Sequence, residues 1–382
     1  MAILRPRPVW FKARELFDAV AQPHQSRGDS LNDSNLIQPD HSALPDNIRS
    51  APDPQNAPKA RLVRRIFFGD EGLRAGWGIL IFVLLCFGSN YIVSRLQLLP
   101  SQPHATAAQS SPELPPGPSI VSEGVILLLV SLATLILSRI ERRPIGVYGL
   151  GGSGGLRLFL YGLFWGLVLL SLLVLLLWQT HLLIFDRLLL APAAIFRYAV
   201  VWAFGFLIVA LFEETFLRGY LQFTLTRGFS AIYRPFTTPK RAGAFGFWTA
   251  ALVLCSIFGF GHGNNPGESP FGLVAVGLFG LTFIFSLWRT GSLWWAIGAH
   301  TSWNWAQSFL YGVGDSGNMI RYHLLASHPI GPPLLSGGAT GPEGSIFVLP
   351  TLALLAVASF FAVSRTNRSH SANPASDTTK TE

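Results

Sequence analysis

The chain has 382 residues, of which half are hydrophobic and 13% are charged, with a net charge of +8. The charged share is about half that of an ordinary soluble domain. With a mean hydropathy of +0.41, this excludes a simple water-soluble globule and points to an all-α polytopic membrane protein. The positive charge does not indicate nucleic acid, because the basic residues collect between apolar runs, where they orient helices.

Residues 1–74 read as a cytosolic tail, and the Pro-, Ser-, Asp- and Asn-rich stretch 22–58 reads as disordered. Trp10–Phe17 has the pattern of a short interfacial helix. The mixed basic and apolar run Arg61–Phe68 is either a surface anchor for anionic lipid or a solvated linker. No cleavable signal pattern is visible, and the first span is expected to target the chain. Cys86 and Cys255 both sit in apolar runs and suggest no disulfide framework.

A spanning helix needs about 20 mostly apolar residues. Eight stretches qualify, at 75–95, 120–139, 157–179, 194–226, 243–262, 271–288, 292–311 and 345–363. Glu123 lies near the start of the second, an acid in an otherwise apolar run. Basic residues precede the first helix and follow the eighth. They also fill the second-to-third, fourth-to-fifth and sixth-to-seventh connections, with Arg139, Arg142, Arg143 and Arg157, then Arg227, Arg234, Lys240 and Arg241, then Arg289. The positive-inside rule then puts both termini in the cytosol, with 75–363 as the membrane domain and 364–382 as a second tail. The expected architecture is about eight helices around a buried polar cavity, in a bacterial inner membrane.

The fourth stretch holds Glu213, Glu214 and Arg218 in the middle of an apolar and aromatic run. Charges at membrane depth are costly and usually mark function. Glu214 and Arg218 are four apart with the acid first, so Arg218 is expected to neutralise Glu214. Glu213 points elsewhere on the wheel and is the candidate base. Phe258 and His262, and then His300 and Asn304, repeat the four-residue spacing near the end of the fifth stretch and within the seventh. The bland readings are a buried ion pair with a spare glutamate, and an interfacial histidine.

Two chemistries fit these side chains. In the first, Glu213 takes a proton from water with help from His262, and His300 and Asn304 hold the oxyanion of an attacked amide. In the second, Glu213, His262 and His300 ligate a metal such as zinc. No HExxH and no Cys pair supports the metal, so no cofactor is favoured. With straight helices, His262 is about 20 residues, roughly 30 Å, from the cytosolic start of its helix, and His300 about 8 residues, roughly 12 Å. A shared site then requires the fifth helix to tilt or to start deeper.

Glu213-Glu214-xxx-Arg218, Phe258-xxx-His262 and His300-xxx-Asn304 resemble, in order, the three motifs of the CAAX-protease and bacteriocin-processing family. That family includes the type II CAAX prenyl endopeptidases and proteins formerly called abortive-infection proteins. The resemblance covers about 120–310, and the connection Tyr233–Gly243 departs from it by its length. It implies an intramembrane endopeptidase with Glu213 catalytic, His262 its partner, His300 and Asn304 oxyanion donors, and Glu214, Arg218 and Phe258 in support. The partners it implies are membrane lipids and a peptide substrate, lipid-modified at its C-terminus in eukaryotic relatives. The rival readings are a non-catalytic binding or immunity protein, and a proton-coupled transporter, which lacks the broken-helix pair of that class.

Overall fold

The computed structural model describes residues 66–69, 72–100, 113–151 and 154–371, with side chains to residue 362. The expected interfacial helix at Trp10–Phe17, most of the anchor run and the outer parts of both tails lie outside these residues.

Eight principal helices lie where the apolar runs predict them. They are α1 (Ala75–Arg95), α2 (Pro116–Ile140), α3 (Gly155–Gln179), α4 (Pro192–Phe236), α5 (Pro239–Gly261), α6 (Pro270–Thr290), α7 (Trp294–Asn304) and α8 (Val348–Ser371). Proline opens α2, α4, α5 and α6 within the first two positions. There its fixed φ suits the helix and its missing N–H costs nothing. At the other end of α6, Gly291 turns left-handed and donates its N–H to the Leu287 carbonyl.

Six of the eight expected spans are met by length and composition. Among the described residues, α1 to α6 are long and apolar enough to cross a membrane, and the other two are not. Within the residues whose side chains are described, the apolar part of α8 is Val348–Ala362. Helix α7 has eleven residues and runs on into a six-residue π turn, Trp305–Leu310. Every residue of α7 from Trp295 to Trp303 is buried. It is an internal post carrying buried His300, Thr301 and Ser302, with Gln307 on the π turn after it, so its faces meet protein instead of lipid. Large exposed apolar side chains such as Phe87, Leu128, Phe164, Phe204 and Phe260 coat the outer helices. With six spans of this kind, the chain is an integral membrane protein.

Helix α7 is held against α3 by small residues. A Cβ on Gly162 would collide with the Trp295 carbonyl, one on Gly166 with that of Ala299, and one on Gly298 with that of Phe159. Close backbone approach over small residues is the usual way membrane helices pack, because lipid tails provide no hydrophobic drive between them. Here it fixes the depth and rotation of the helix that carries His300.

The two ends of the bundle differ. At one end the α2–α3 and α6–α7 connections meet, where Leu293 N donates to Gly149 O and Trp294 Nε1 to Leu150 O. At the other end, three connections pair as short strands that the sequence reading did not anticipate. Strand β3 (Glu113–Leu114) pairs in parallel with β5 (Met319–Ile320), and β4 (Leu183–Leu188) pairs antiparallel with β6 (Leu325–Pro329). A two-residue hairpin, β1 (Phe68–Gly69) with β2 (Gly72–Leu73), precedes α1.

A buried clamp ties the first end together. Glu141, just past α2, accepts from Arg227 Nη1 at 2.9 Å and from Tyr220 Oη at 2.7 Å, both on α4. Arg227 Nη2 also donates to Leu73 O at 3.0 Å, ahead of α1. The Glu141 and Arg227 side chains are 1% and 5% exposed. Removing one partner of such a pair strands a buried charge, at about 3–5 kcal/mol. Glu141→Ala is therefore expected to lower the thermal unfolding midpoint in detergent by many degrees. An unchanged midpoint would show that the clamp contributes nothing.

Candidate active site

The central residues of α4 leave α-helical geometry where the charges begin. Glu213 closes the α-helical part, and Glu214–Leu221 forms a π turn. Such widened turns occur mostly at functional sites, since they weaken the ladder and re-aim side chains. Here the turn separates two adjacent acids. Glu214 is fully buried, whereas Glu213 lines a cavity with its side chain 18% exposed.

Glu214 sits at the centre of a charge-assisted relay. Arg218 Nη1 donates to Glu214 Oε1 at 2.9 Å, the pairing expected from the spacing. The same oxygen accepts from His300 Nδ1 at 3.1 Å. A carboxylate paired with arginine only accepts, so the Nδ1 hydrogen belongs to the imidazole. The Arg218 guanidinium lies over the Phe258 ring, 4.4 Å from its centre. The His300 ring stacks on Phe283 at 5.5 Å. Glu214 is therefore more than Arg218's counter-ion, because it also orients a histidine from another helix.

His300 Nε2 lies 3.8 Å from Glu213 Oε2. The expected partner of Glu213, His262, lines the same cavity. His262 hydrogen-bonds through Nδ1 to the Phe258 carbonyl at 2.8 Å, with its ring set edge-on to Phe258 at 4.7 Å. The two histidines differ in helix position. His262 falls just beyond the last turn of α5, whereas His300 is six residues into α7, at the level of the two glutamates. Helix α5 begins at Pro239, so it does not start deeper than expected.

Glu213, His262, His300 and Asn304 all line one cavity of about 340 Å³. Phe258 lines it too, whereas Glu214 and Arg218 lie behind its wall. The cavity also takes in acids that the motif reading left out, namely Glu123 from α2, and Asp315 and Glu343 from the α7–α8 connection. Glu123 was visible as a lone acid in an apolar run. Asp315 and Glu343 lie in a Gly- and Pro-rich connection with no periodicity to single them out.

These last two carboxyls are pushed up from their ordinary range, Asp315 to about 7 and Glu343 to about 8. Burial is the main cause for both. For Asp315 the charges of Glu213 and Glu268 add to it, and a hydrogen bond from Ser308 opposes it. For Glu343 the charges of Asp315 and Glu268 add to it, and hydrogen bonds from the Ser316 N–H and hydroxyl oppose it. Among the described residues, no three His, Cys, Asp or Glu side chains form a group able to hold a metal ion. The alternative ligand set Glu213, His262 and His300 is thus not gathered as a metal cluster.

Residues 194–306, from the start of α4 to the π turn after α7, match the family model described as Type II CAAX prenyl endopeptidase Rce1-like. The resemblance read from the three motifs is therefore the one the family model gives. The family described by that model is one of membrane proteases. No curated protein and no solved structure matches the chain. Glu123, Asp315 and Glu343 all lie outside the matched segment.

The raised carboxyls give the connection a pH dependence of known sign. Each binds its proton more tightly in the folded protein than in the unfolded chain, where carboxyls titrate near 4. Folding stability then falls as pH rises from about 4 through about 8. Glu343→Gln removes one of these protons and is expected to flatten that fall in thermal unfolding followed from pH 5 to 8. Parallel profiles for the two proteins would contradict the assignment.

Proposed function

We propose that the protein is an intramembrane endopeptidase that hydrolyses a peptide bond with a glutamate-activated water. The observation that carries this reading is the approach of Glu213 to His300 at 3.8 Å within one cavity. That gap is too long for a direct hydrogen bond and suits one water touching both groups.

With its Nδ1 hydrogen given to Glu214, neutral His300 has Nε2 as an acceptor. Water between Nε2 and Glu213 is then held by two acceptors, which raise its nucleophilicity and aim it. Glu213 takes one proton as the water oxygen attacks the amide carbon. The carbonyl electrons move to oxygen, and the oxyanion is met by donors on the cavity wall. Asn304 supplies an amide N–H₂ for this. His262, with Nδ1 donating to the Phe258 carbonyl, supplies Nε2–H when protonated. Collapse of the intermediate breaks the C–N bond, and the proton held by Glu213 passes to the leaving amine. His300 is thus proposed as a partner of the base, where the sequence reading had it as an oxyanion donor. Both termini are proposed to lie in the cytosol, as the charge pattern requires. No resident metal is part of this reading.

Glu213→Gln keeps shape and removes the base. On a panel of fluorogenic peptides it is expected to lower kcat by at least 10²–10⁴-fold, with elution and thermal unfolding unchanged. His300→Gln is expected to do the same. A chelator is expected to leave the wild-type rate unchanged. Full activity in Glu213→Gln would end the proposal, and loss of activity on chelation would replace it with a metal-dependent one.

A further inference from the structure

The cavity is built from one end of the bundle only. On α2 it is lined by Ser119 and Glu123, within the first eight residues of a 25-residue helix. On α6 it is lined by Val276 and Phe279 in the N-terminal half and by Phe283 just past the middle. On α5, which runs the opposite way, it is lined by Phe258 and Gly261, in the last turn, with His262 just past it. The lining connections are those before α2 (Leu114), between α5 and α6 (Asn265), and between α7 and α8 (Asn318, Glu343). These are joined to one another by the β3–β5 pairing and by Thr340, which hydrogen-bonds the Gly267 carbonyl and Glu268. No described residue of the α2–α3, α4–α5 or α6–α7 connections lines the cavity.

Those three connections form the basic end, and packing closes the bundle there. Tyr148 and Leu293 are 1% and 0% exposed. The Tyr148 ring meets Tyr220 at 5.3 Å, and Gly149 is backed so closely by Leu293 that a side chain there would clash. This layer lies on the basic side of the buried Glu214–Arg218 pair. The opposite end carries fewer cations, Arg95, Arg187, Arg197 and Arg321. Basic connections stay in the cytosol. From these observations we infer that the cavity's mouth faces the non-cytosolic side of the membrane, and that the site takes a peptide segment presented there.

The placement of the mouth stands on charge pattern and packing alone, whereas the statement about substrate rests on the peptidase reading. The consequence for substrate class is sharp. A C-terminus prenylated in the cytosol would have its scissile bond on the closed side. A peptide exported across the membrane, or the outer flank of an anchored one, would meet the open side. The parts that form the mouth lie outside the matched segment 194–306 in two of three connections, so the mouth is where this chain has its own character.

The test uses the full chain in sealed membrane vesicles of known orientation, with the buried Cys86 and Cys255 replaced by Ala. Single cysteines are placed at Asn318 and Asn265 on the proposed mouth and at the exposed Lys240 on the basic end, and are probed with a membrane-impermeant maleimide. Asn318→Cys and Asn265→Cys are expected to react in right-side-out vesicles without detergent, at least tenfold faster than in inverted ones. Lys240→Cys is expected to show the reverse. Mouth cysteines that react only in inverted vesicles, or equally in both, would overturn the inference. So would mouth cysteines that react in neither, because the cavity would then have no aqueous mouth on that side. None of these results depends on catalysis. In a second arm, an impermeant fluorogenic peptide is offered outside right-side-out vesicles of the protein with its native asparagines. Cleavage there, lost in Glu213→Gln, is expected. Cleavage only after inversion would overturn the substrate side while leaving the peptidase reading intact. No cleavage in either orientation or in detergent would instead remove the peptidase reading and leave the labelling result standing.

Discussion

The site depends on one buried charge pair. Arg218 and Glu214 are each almost wholly removed from solvent, at a depth where an unpaired ion is costly. Their pairing offsets the cost of burying both charges, and the same Glu214 oxygen then holds His300. The cation is held in turn by the face of Phe258, whose backbone carbonyl fixes His262. The three motifs are thus one assembly. Arg218 and Glu214 come from α4, Phe258 and His262 from α5 and its end, and His300 from α7. Changing any of the central members releases another.

The scaffold serves that assembly by fixing heights. The π turn at Glu214–Leu221 turns one acid into the protein and leaves its neighbour on the cavity. The glycines at 162, 166 and 298 set α7 against α3 backbone to backbone, and α7 delivers His300 to the level of Glu213. Helix α7 meets protein on its faces, which is why it does not need the length or apolarity of a lipid-facing span.

Much of this was legible in the sequence. Apolar run length located all eight helices, because membrane insertion imposes a simple demand on composition. Four-residue spacing gave the Glu214–Arg218 pair, since its two side chains lie on one helix with no third partner needed. The same spacing put Phe258 with His262, which the structure joins through the carbonyl. Pairings between helices were not legible. The approach of His300 to Glu213 depends on relative depth, which a helical wheel does not carry. The π turn was equally hidden, since nothing in Glu214-Thr215-Phe216-Leu217 marks a change of helical register. Strands β5 and β6 and the acids Asp315 and Glu343 lie in a Gly- and Pro-rich connection whose shape is set by what it packs against. Glu123 stood out in the sequence as an acid near the start of an apolar run, with nothing there to place it in the cavity.

The most direct test of the relay is the protonation of the His300 imidazole. Histidine-selective ¹⁵N spectra of the protein in detergent, with the His300 signal assigned by its loss in His300→Gln, report which ring nitrogen carries hydrogen. A protonated Nδ1 and a bare Nε2 are predicted in the resting state, with that preference lost in Glu214→Gln. A hydrogen resident on Nε2 alone, or a spectrum indifferent to Glu214→Gln, would contradict the account.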